Sequence, residues 1–423
     1  MNWQQRDAAC IWHPFTPASA EPEIAVVKAE GIWLHTEDGR KILDGTSSWW
    51  VNAHGHAHPY IAERLAQQAK TLEHIIFAGF THPPAIELAE RLLSFINGPQ
   101  SRIFYSDNGS TAVEVALKIA LQFFKNQNIS KKRIIAFENA YHGDTFGAMS
   151  VGHRNAFSAA FADLLFEVDF IPAPESGKEN ESYSKFNERI KQGDVAAFIF
   201  EPLVQGAGGM RMYCPETLNK MLVQCKFYGA LSIADEVFTG FYRTGTPLAM
   251  QQLPKMPDII CLSKTLTGGT LPLGVTAVPE FIFNAFQSKN PNHTFFHGHS
   301  FTANPLACTA ALASLDLLLK EDCINNISFI EKQHQAFASH IKQHPAIMEV
   351  RHLGTILAIE MHARGEHGYL NPIAPKLTKY FLERNIYLRP LGNVVYFTPP
   401  YIIKDDELQI VYNTIIDCLN QYE

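Results

Sequence analysis

The chain has 423 residues, of which 46% are apolar and 18% charged, and it carries a formal charge of −7. That length predicts about two domains, and that composition predicts a folded globular protein rather than a disordered one. The acidic balance argues against a nucleic-acid partner or an anionic membrane surface, since both recruit basic patches.

In chain order, the opening MNWQQRDAAC lacks the apolar core of a secretory signal. Strand-like runs follow at 31–36 (GIWLHT) and 41–47 (KILDGTS). A β-α-β rhythm begins with a strand at 102–107 (RIFYSD) and a helix at 111–125. Further strands are predicted at 133–138, 195–201, 230–235 and 258–263. Short β-branched runs alternating with helices imply a mostly parallel sheet covered on both faces. The polar stretch 175–194 reads as a surface insertion.

Next come helices at 306–319 and 324–343, strand-like pieces at 348–354, 356–361 and 393–400, and a closing amphipathic helix at 407–422. These form a smaller α+β lobe, which the N-terminal strands join. The expected division is a large domain over 51–315 and a small domain built from 1–50 and 316–423. The longest apolar stretch, 306–319, is interrupted by Thr309, Ser314 and Asp316, so it predicts a buried helix and no membrane span. Seven widely spaced cysteines without a CxxC read as reduced thiols, which predicts a cytoplasmic chain.

Open parallel sheets bind ligands beyond the carboxyl ends of their strands. Asp235 ends the 230–235 strand, Lys264 follows 258–263, and Glu201 ends 195–201. Gly109 and Ser110 lie between the 102–107 strand and its helix, and Tyr141 and His142 follow 133–138. Lys264 and Asp235 suit pyridoxal phosphate (PLP), which needs an amine at its aldehyde and a carboxylate at its ring nitrogen. A surface lysine and a turn aspartate are the plain alternative. The run TLTGGTLPLG after Lys264 weighs against it, because no apolar helix face explains those glycines.

The turn Asp107-Asn108-Gly109-Ser110 reads equally as a helix cap or as a phosphate site. Tyr141 suits stacking on a flat ring, or plain packing. The adjacent Trp49 and Trp50 suit a pocket for a long aliphatic or cationic substrate, or one buried and one exposed ring on a strand. Arg389 suits a bidentate grip on a carboxylate, or a structural salt bridge. His54, His56 and His58 alternate as strand-borne metal ligands would. No Cys or carboxylate sits at matching spacing and Pro59 turns the chain, so no metal is expected there or at 297–300.

The run IADEVFTGFYRTG (233–245), then SKTLTGG (263–269), resembles the class III aminotransferases of PLP fold type I. The resemblance spans nearly the whole chain. It includes WHPFTP (12–17), DGTSSWWVNAHGHAHP (44–59), AYHGDTFGAMSVG (140–152), EPLVQGAGGMRMY (201–213), HGHSFTANPLAC (297–308) and RPLGNVVYFTPPY (389–401). Together these blocks are most similar to the branch that aminates 8-amino-7-oxononanoate in biotin biosynthesis.

The resemblance implies that Lys264 carries PLP as a Schiff base and shuttles protons, with Asp235 at the pyridinium. It implies that Gly109 and Ser110 bind the phosphate, joined by His299 and Ser300 from the other subunit of a homodimer. Tyr141 would stack near the ring and touch substrate, Trp49 and the Gly298 backbone would line the substrate pocket, and Arg389 would hold the substrate carboxylate. Three departures stand out. Phe15 replaces the Tyr that commonly follows WHP at the substrate, HGHS replaces HGPT, and Tyr242 replaces a Gly. The expected donor is S-adenosylmethionine. Lysine is the alternative that Phe15 and HGHS raise, and a general ω-amino-acid aminotransferase is the broader one.

Overall fold

The computed structural model describes residues 2–18, 24–155, 157–364 and 368–422. Near the N-terminus, β1 (Val26–Glu30), β2 (Trp33–Thr36) and β3 (Lys41–Asp44) form an antiparallel meander. The principal sheet then collects β4 (Gln100–Ser106), β5 (Arg133–Phe137), β6 (Asp169–Ile171) and β7 (Val195–Phe200). A small hairpin, β8 (Val204–Gln205) with β9 (Arg211–Met212), precedes its last strands, β10 (Leu231–Asp235), β11 (Ile259–Leu262) and β12 (Gly274–Pro279). The strand order is β4-β12-β11-β10-β7-β5-β6. Only β12 runs antiparallel, to both β11 and β4. The fold is α/β, with a mostly parallel sheet flanked by helices.

Every residue of β7, β10, β11 and β12 is buried, as strands covered on both faces must be. Along β7, Phe198 and Phe200 pack into one core with the helices Pro83–Ile96, Glu179–Ile190 and Pro215–Tyr228. Ile199 points the other way, into a core built on the helix Gly109–Asn126. Each such side chain contributes about 1.5–3 kcal/mol by leaving water.

One sequence expectation needs correction. The 175–194 stretch is no loose insertion: Glu179–Ile190 is a helix that buries Ser182, Phe186 and Ile190 at four-residue spacing. Its charged residues cover only the outer face, which disguised the inner one. The helix Pro305–Leu318 is buried on nearly all sides, as its largely apolar sequence predicts. Among the described residues, no helix is long and apolar enough to cross a membrane.

Towards the C-terminus lie β13 (Ile347–Leu353), β14 (Ile356–Met361), β15 (Ile386–Tyr387) and β16 (Val394–Phe397). β13, β14 and β16 form an antiparallel sheet, whereas β15 pairs in parallel with β3. Ile32 and Leu43 from the N-terminal strands share a core with the helices Glu321–Ile341 and Asp405–Gln421.

The two tryptophans do not lie on a strand. Ser47, Ser48, Trp49 and Trp50 have φ of 50°, 45°, 70° and 73°, a left-handed turn without a single glycine. Such conformations cost about 1–2 kcal/mol per residue, so neighbouring contacts must hold them. The turn separates the two indoles: Trp50 is 3% exposed and Trp49 37% exposed.

Candidate active site

A cavity of about 700 Å³ opens where β4, β5, β7, β10 and β11 end. Lys264, Asp235, Glu201, Tyr141, His142, Gly109 and Ser110 all border it. The sheet thus brings together the strand-end residues that the sequence singled out.

Asp235 closes β10, and its Oδ2 lies 2.7 Å from His142 Nδ1. Its Oδ1 accepts the Val237 N–H at 3.1 Å. His142 Nε2 is buried without a hydrogen-bond partner among the described residues. Sequence reasoning placed His142 at this edge and gave it no role. A signal was available in the Gly143 that follows it, which adopts φ 125° and borders the same cavity.

Lys264 begins a short 3-10 turn after β11 and adopts φ 49°, a left-handed conformation rare outside glycine. Its Nζ makes no hydrogen bond among the described residues and sits 4.4 Å from the Trp50 ring centroid and 5.6 Å from that of Phe238. Burial pushes the amine down to about 8, against the upward pull of the Asp235 and Glu201 carboxylates. Glu201 is itself buried, accepting the Tyr141 N–H at 3.0 Å and the Gly206 N–H at 2.8 Å. Burial pushes its carboxyl up to about 7, with His142 opposing the shift and Asp235 adding to it.

At the other end, Asn108 caps the helix Gly109–Asn126 by accepting the Thr111 N–H at 2.9 Å. Ser110 Oγ accepts the Thr145 N–H at 3.1 Å and lies 2.8 Å from Thr145 Oγ1. Thr145 Oγ1 in turn donates to Glu114. Thr145 and Glu114 were not singled out from the sequence, because their contact joins separate segments of the chain. Side chains are excluded around this turn. A Cβ on Gly109 would stand 2.6 Å from Val237 Cγ1, and one on Gly143 would stand 2.3 Å from Ser110 Oγ.

Arg389, Phe15, Tyr369 and Tyr387 border a second cavity of about 570 Å³. A third, of about 420 Å³, shares Tyr141 with the first and Tyr369 with the second. The Arg389 guanidinium lies 4.6 Å from the Trp49 ring, and Phe15 meets Trp49 edge-on at 5.3 Å. Burial opposes the Arg389 charge, but hydrogen bonds and the fields of Tyr369 and Tyr387 outweigh it and hold the group above its ordinary value. It is Trp50, not Trp49, that borders the main cavity, whereas Trp49 carries Arg389.

Gly298, His299 and Ser300 do not border the cavity of their own chain. His299 Nε2 is buried without a partner, while Phe296 and Phe301 beside this motif are 75% and 62% exposed. The three N-terminal histidines diverge: His54 pairs with Ser314 at 3.1 Å, His56 with Asp44 at 2.9 Å, and His58 with neither. Among the described residues, no three His, Cys, Asp or Glu side chains are grouped to hold a metal ion.

The profile of the class III aminotransferases matches residues 15–419. The chain belongs to the class III aminotransferases. It is 49% identical to the adenosylmethionine-8-amino-7-oxononanoate aminotransferase of Synechococcus elongatus, over 97% of this chain and 98% of that one. The enzyme of the same name from Helicobacter pylori is 35% identical over 100% and 99% of the two chains. The crystal structure of adenosylmethionine-8-amino-7-oxononanoate aminotransferase from Methanocaldococcus jannaschii superposes with a TM-score of 0.92 at 32% identity, over 99% and 98% of the chains. An amine transaminase from an uncultivated Pseudomonas species, solved with PLP bound, gives 0.91 at 27% identity, over 98% and 99%.

Class III aminotransferases depend on PLP, and this aminotransferase fits that cofactor. One cavity holds an unbonded amine depressed towards neutrality, a carboxylate backed by a histidine, and a helix N-terminus crowded by glycines. Those are the complements of an aldehyde, a pyridinium and a phosphate.

Proposed function

We propose that this aminotransferase converts 8-amino-7-oxononanoate to 7,8-diaminononanoate in biotin biosynthesis, with S-adenosylmethionine as donor. The names of its relatives support the reaction. The observation that carries it is the separation of Arg389 from Lys264: the guanidinium borders the second cavity and the amine the first. That spacing suits a ketone held several methylenes from its carboxylate.

Pyridoxal phosphate, when bound, supplies an electron sink that allows a C–H bond beside the amine to break. In our reading Lys264 holds the cofactor covalently. Its amine, which burial depresses to about 8 in the cofactor-free chain, would serve as the general acid and base that moves the substrate proton. Asp235 keeps the ring nitrogen protonated, and His142 keeps Asp235 oriented. Gly109 and Ser110 bind the phosphate, and His299 and Ser300 from a second copy of the chain complete it, which makes the functional unit a homodimer. Tyr141 stacks against the ring and touches substrate, with Phe15, Trp49 and the Gly298 backbone lining the substrate's path. Arg389 binds its carboxylate. The reaction on small soluble substrates belongs in the cytoplasm. The large domain, 51–315, would carry the cofactor, and the small domain, from 1–50 and 316–423, would carry Arg389.

Lysine is a second donor reading, favoured by the hydroxyl-free Phe15 beside Trp49. The test gives purified holoenzyme 8-amino-7-oxononanoate with each donor in turn and measures 7,8-diaminononanoate. Product from S-adenosylmethionine supports the full reading, and product from lysine alone replaces the donor. No product from either, with the cofactor's visible band intact, replaces the substrate with a general ω-amino acid.

A further inference from the structure

The left-handed turn at Ser47–Trp50 stands at the junction of the two ends of the site. Trp50 lies under the Lys264 amine, and Trp49 lies against the Arg389 guanidinium. Adjacent residues serve opposite ends because the turn rotates successive side chains to different sides. The turn does not hold itself, since none of its four residues is a glycine.

Asp44 holds it. This carboxylate is 0% exposed and ends β3 immediately before the turn. Oδ1 accepts the Thr46 N–H at 3.1 Å and the Thr46 hydroxyl at 3.3 Å. Oδ2 accepts the Ser48 N–H at 2.8 Å, the Ser48 hydroxyl at 2.9 Å, and pairs with His56 Nε2 at 2.9 Å. His56 is steadied in turn by Asn52 at 3.2 Å. The far end of the turn is fixed by Thr265, beside Lys264, whose hydroxyl donates to the Trp50 carbonyl at 3.2 Å. Its start is fixed by the Ser47 hydroxyl, which donates to the Thr398 carbonyl at 2.7 Å.

We propose that Asp44 is a positioning residue for amino transfer: by holding Ser47–Trp50 left-handed, one buried carboxylate sets Trp50 against Lys264 and Trp49 against Arg389. The proposal rests on the roles read above for Lys264 and Arg389. Asp44 touches neither end itself. Its loss releases both ends together, whereas loss of Arg389 affects the carboxylate end alone.

The test compares holoenzyme carrying Asp44→Ala, Arg389→Ala and the pair Asp44→Ala with Ser48→Gly. Each half-reaction is followed separately, and near-ultraviolet circular dichroism reports the tryptophan environment. Asp44→Ala should lower kcat/KM in both half-reactions by about 100-fold, as small displacements at a reacting centre do. It should also flatten the tryptophan dichroism. Arg389→Ala should lower the acceptor half alone. Ser48→Gly, which adopts positive φ freely, should restore about tenfold in both halves on the Asp44→Ala background. Parent-like kinetics and dichroism in Asp44→Ala would overturn the proposal, as would a loss confined to one half-reaction or the absence of any rescue.

If Asp44→Ala does not fold, Asp44→Asn takes its place. It must then lower both half-reactions together, and parent values refute the idea. Should the parent enzyme refuse 8-amino-7-oxononanoate, the substrate reading fails on its own. The donor half-reaction and the dichroism still decide the role of Asp44.

Discussion

At the scale of single residues, the proposed chemistry turns on an amine that burial keeps from its usual charge. Lys264 titrates near 8 rather than at its ordinary 10.5. The folded, cofactor-free protein therefore binds fewer protons at this site than the unfolded chain does. The cost is present below about 8 and is relieved as pH rises from there towards 10.5. The amine becomes nucleophilic over the same approach to 8. Recombination of apoprotein with cofactor, followed by the visible band, should therefore accelerate as pH rises and level off above about 8. A rate that stays flat through that range contradicts the depressed amine. Lys264→Ala should retain cofactor only non-covalently and lose the band of the covalent form, with kcat falling by roughly 10²–10⁴-fold or more. A variant keeping both band and turnover would dismiss Lys264 as the anchor.

At the scale of elements, the parallel strands positioned the site and were also the most legible part of the sequence. Strands buried on both faces read as short apolar runs, and the first polar residue after each run marks the sheet edge. Asp235, Lys264 and Glu201 were visible for that reason. The helix Gly109–Asn126 was visible from its period and from the Asn108 cap. Its first residue supports a prediction: Gly109→Ala sets a methyl 2.6 Å from Val237 Cγ1. Relief by backbone shift should cost about 1–3 kcal/mol in urea unfolding, and cofactor affinity should fall with it. Unchanged stability and affinity would mean the turn is looser than it looks. Other elements stayed hidden for physical reasons. The helix Glu179–Ile190 shows a charged exterior and only three buried residues. β12 inverts direction within an otherwise parallel sheet, which no local pattern announces. The β3–β15 pair joins residues more than 300 positions apart, beyond any window of periodicity. Trp49 and Trp50 could not be told apart until the hand of their turn was known.

At the scale of the whole molecule, the proposed homodimer can be tested through the motif at 297–300. The motif 297–300 lies off the site, flanked by exposed Phe296 and Phe301, and among the described residues His299 keeps an unpartnered buried nitrogen. If these residues serve a second copy, two inactive variants should repair each other. Lys264→Ala mixed with a His299→Ala, Ser300→Ala double variant would form a hybrid dimer with one intact site, and activity should reappear on co-refolding. Silence in the hybrid, with dimers shown by sedimentation, would place the motif at its own chain's site.

The stacking of Arg389 on Trp49 also bears on which substrates the enzyme accepts. If Arg389 binds the substrate carboxylate, a guanidinium held 4.6 Å from the Trp49 ring centroid would match one chain length better than its neighbours. On that reading the protein would work as a ruler. In a series of keto acids differing by single methylenes, turnover should peak at one length and fall on both sides. A merely greasy channel would instead reward each added carbon, and a steady climb with length would show that the ruler does not exist.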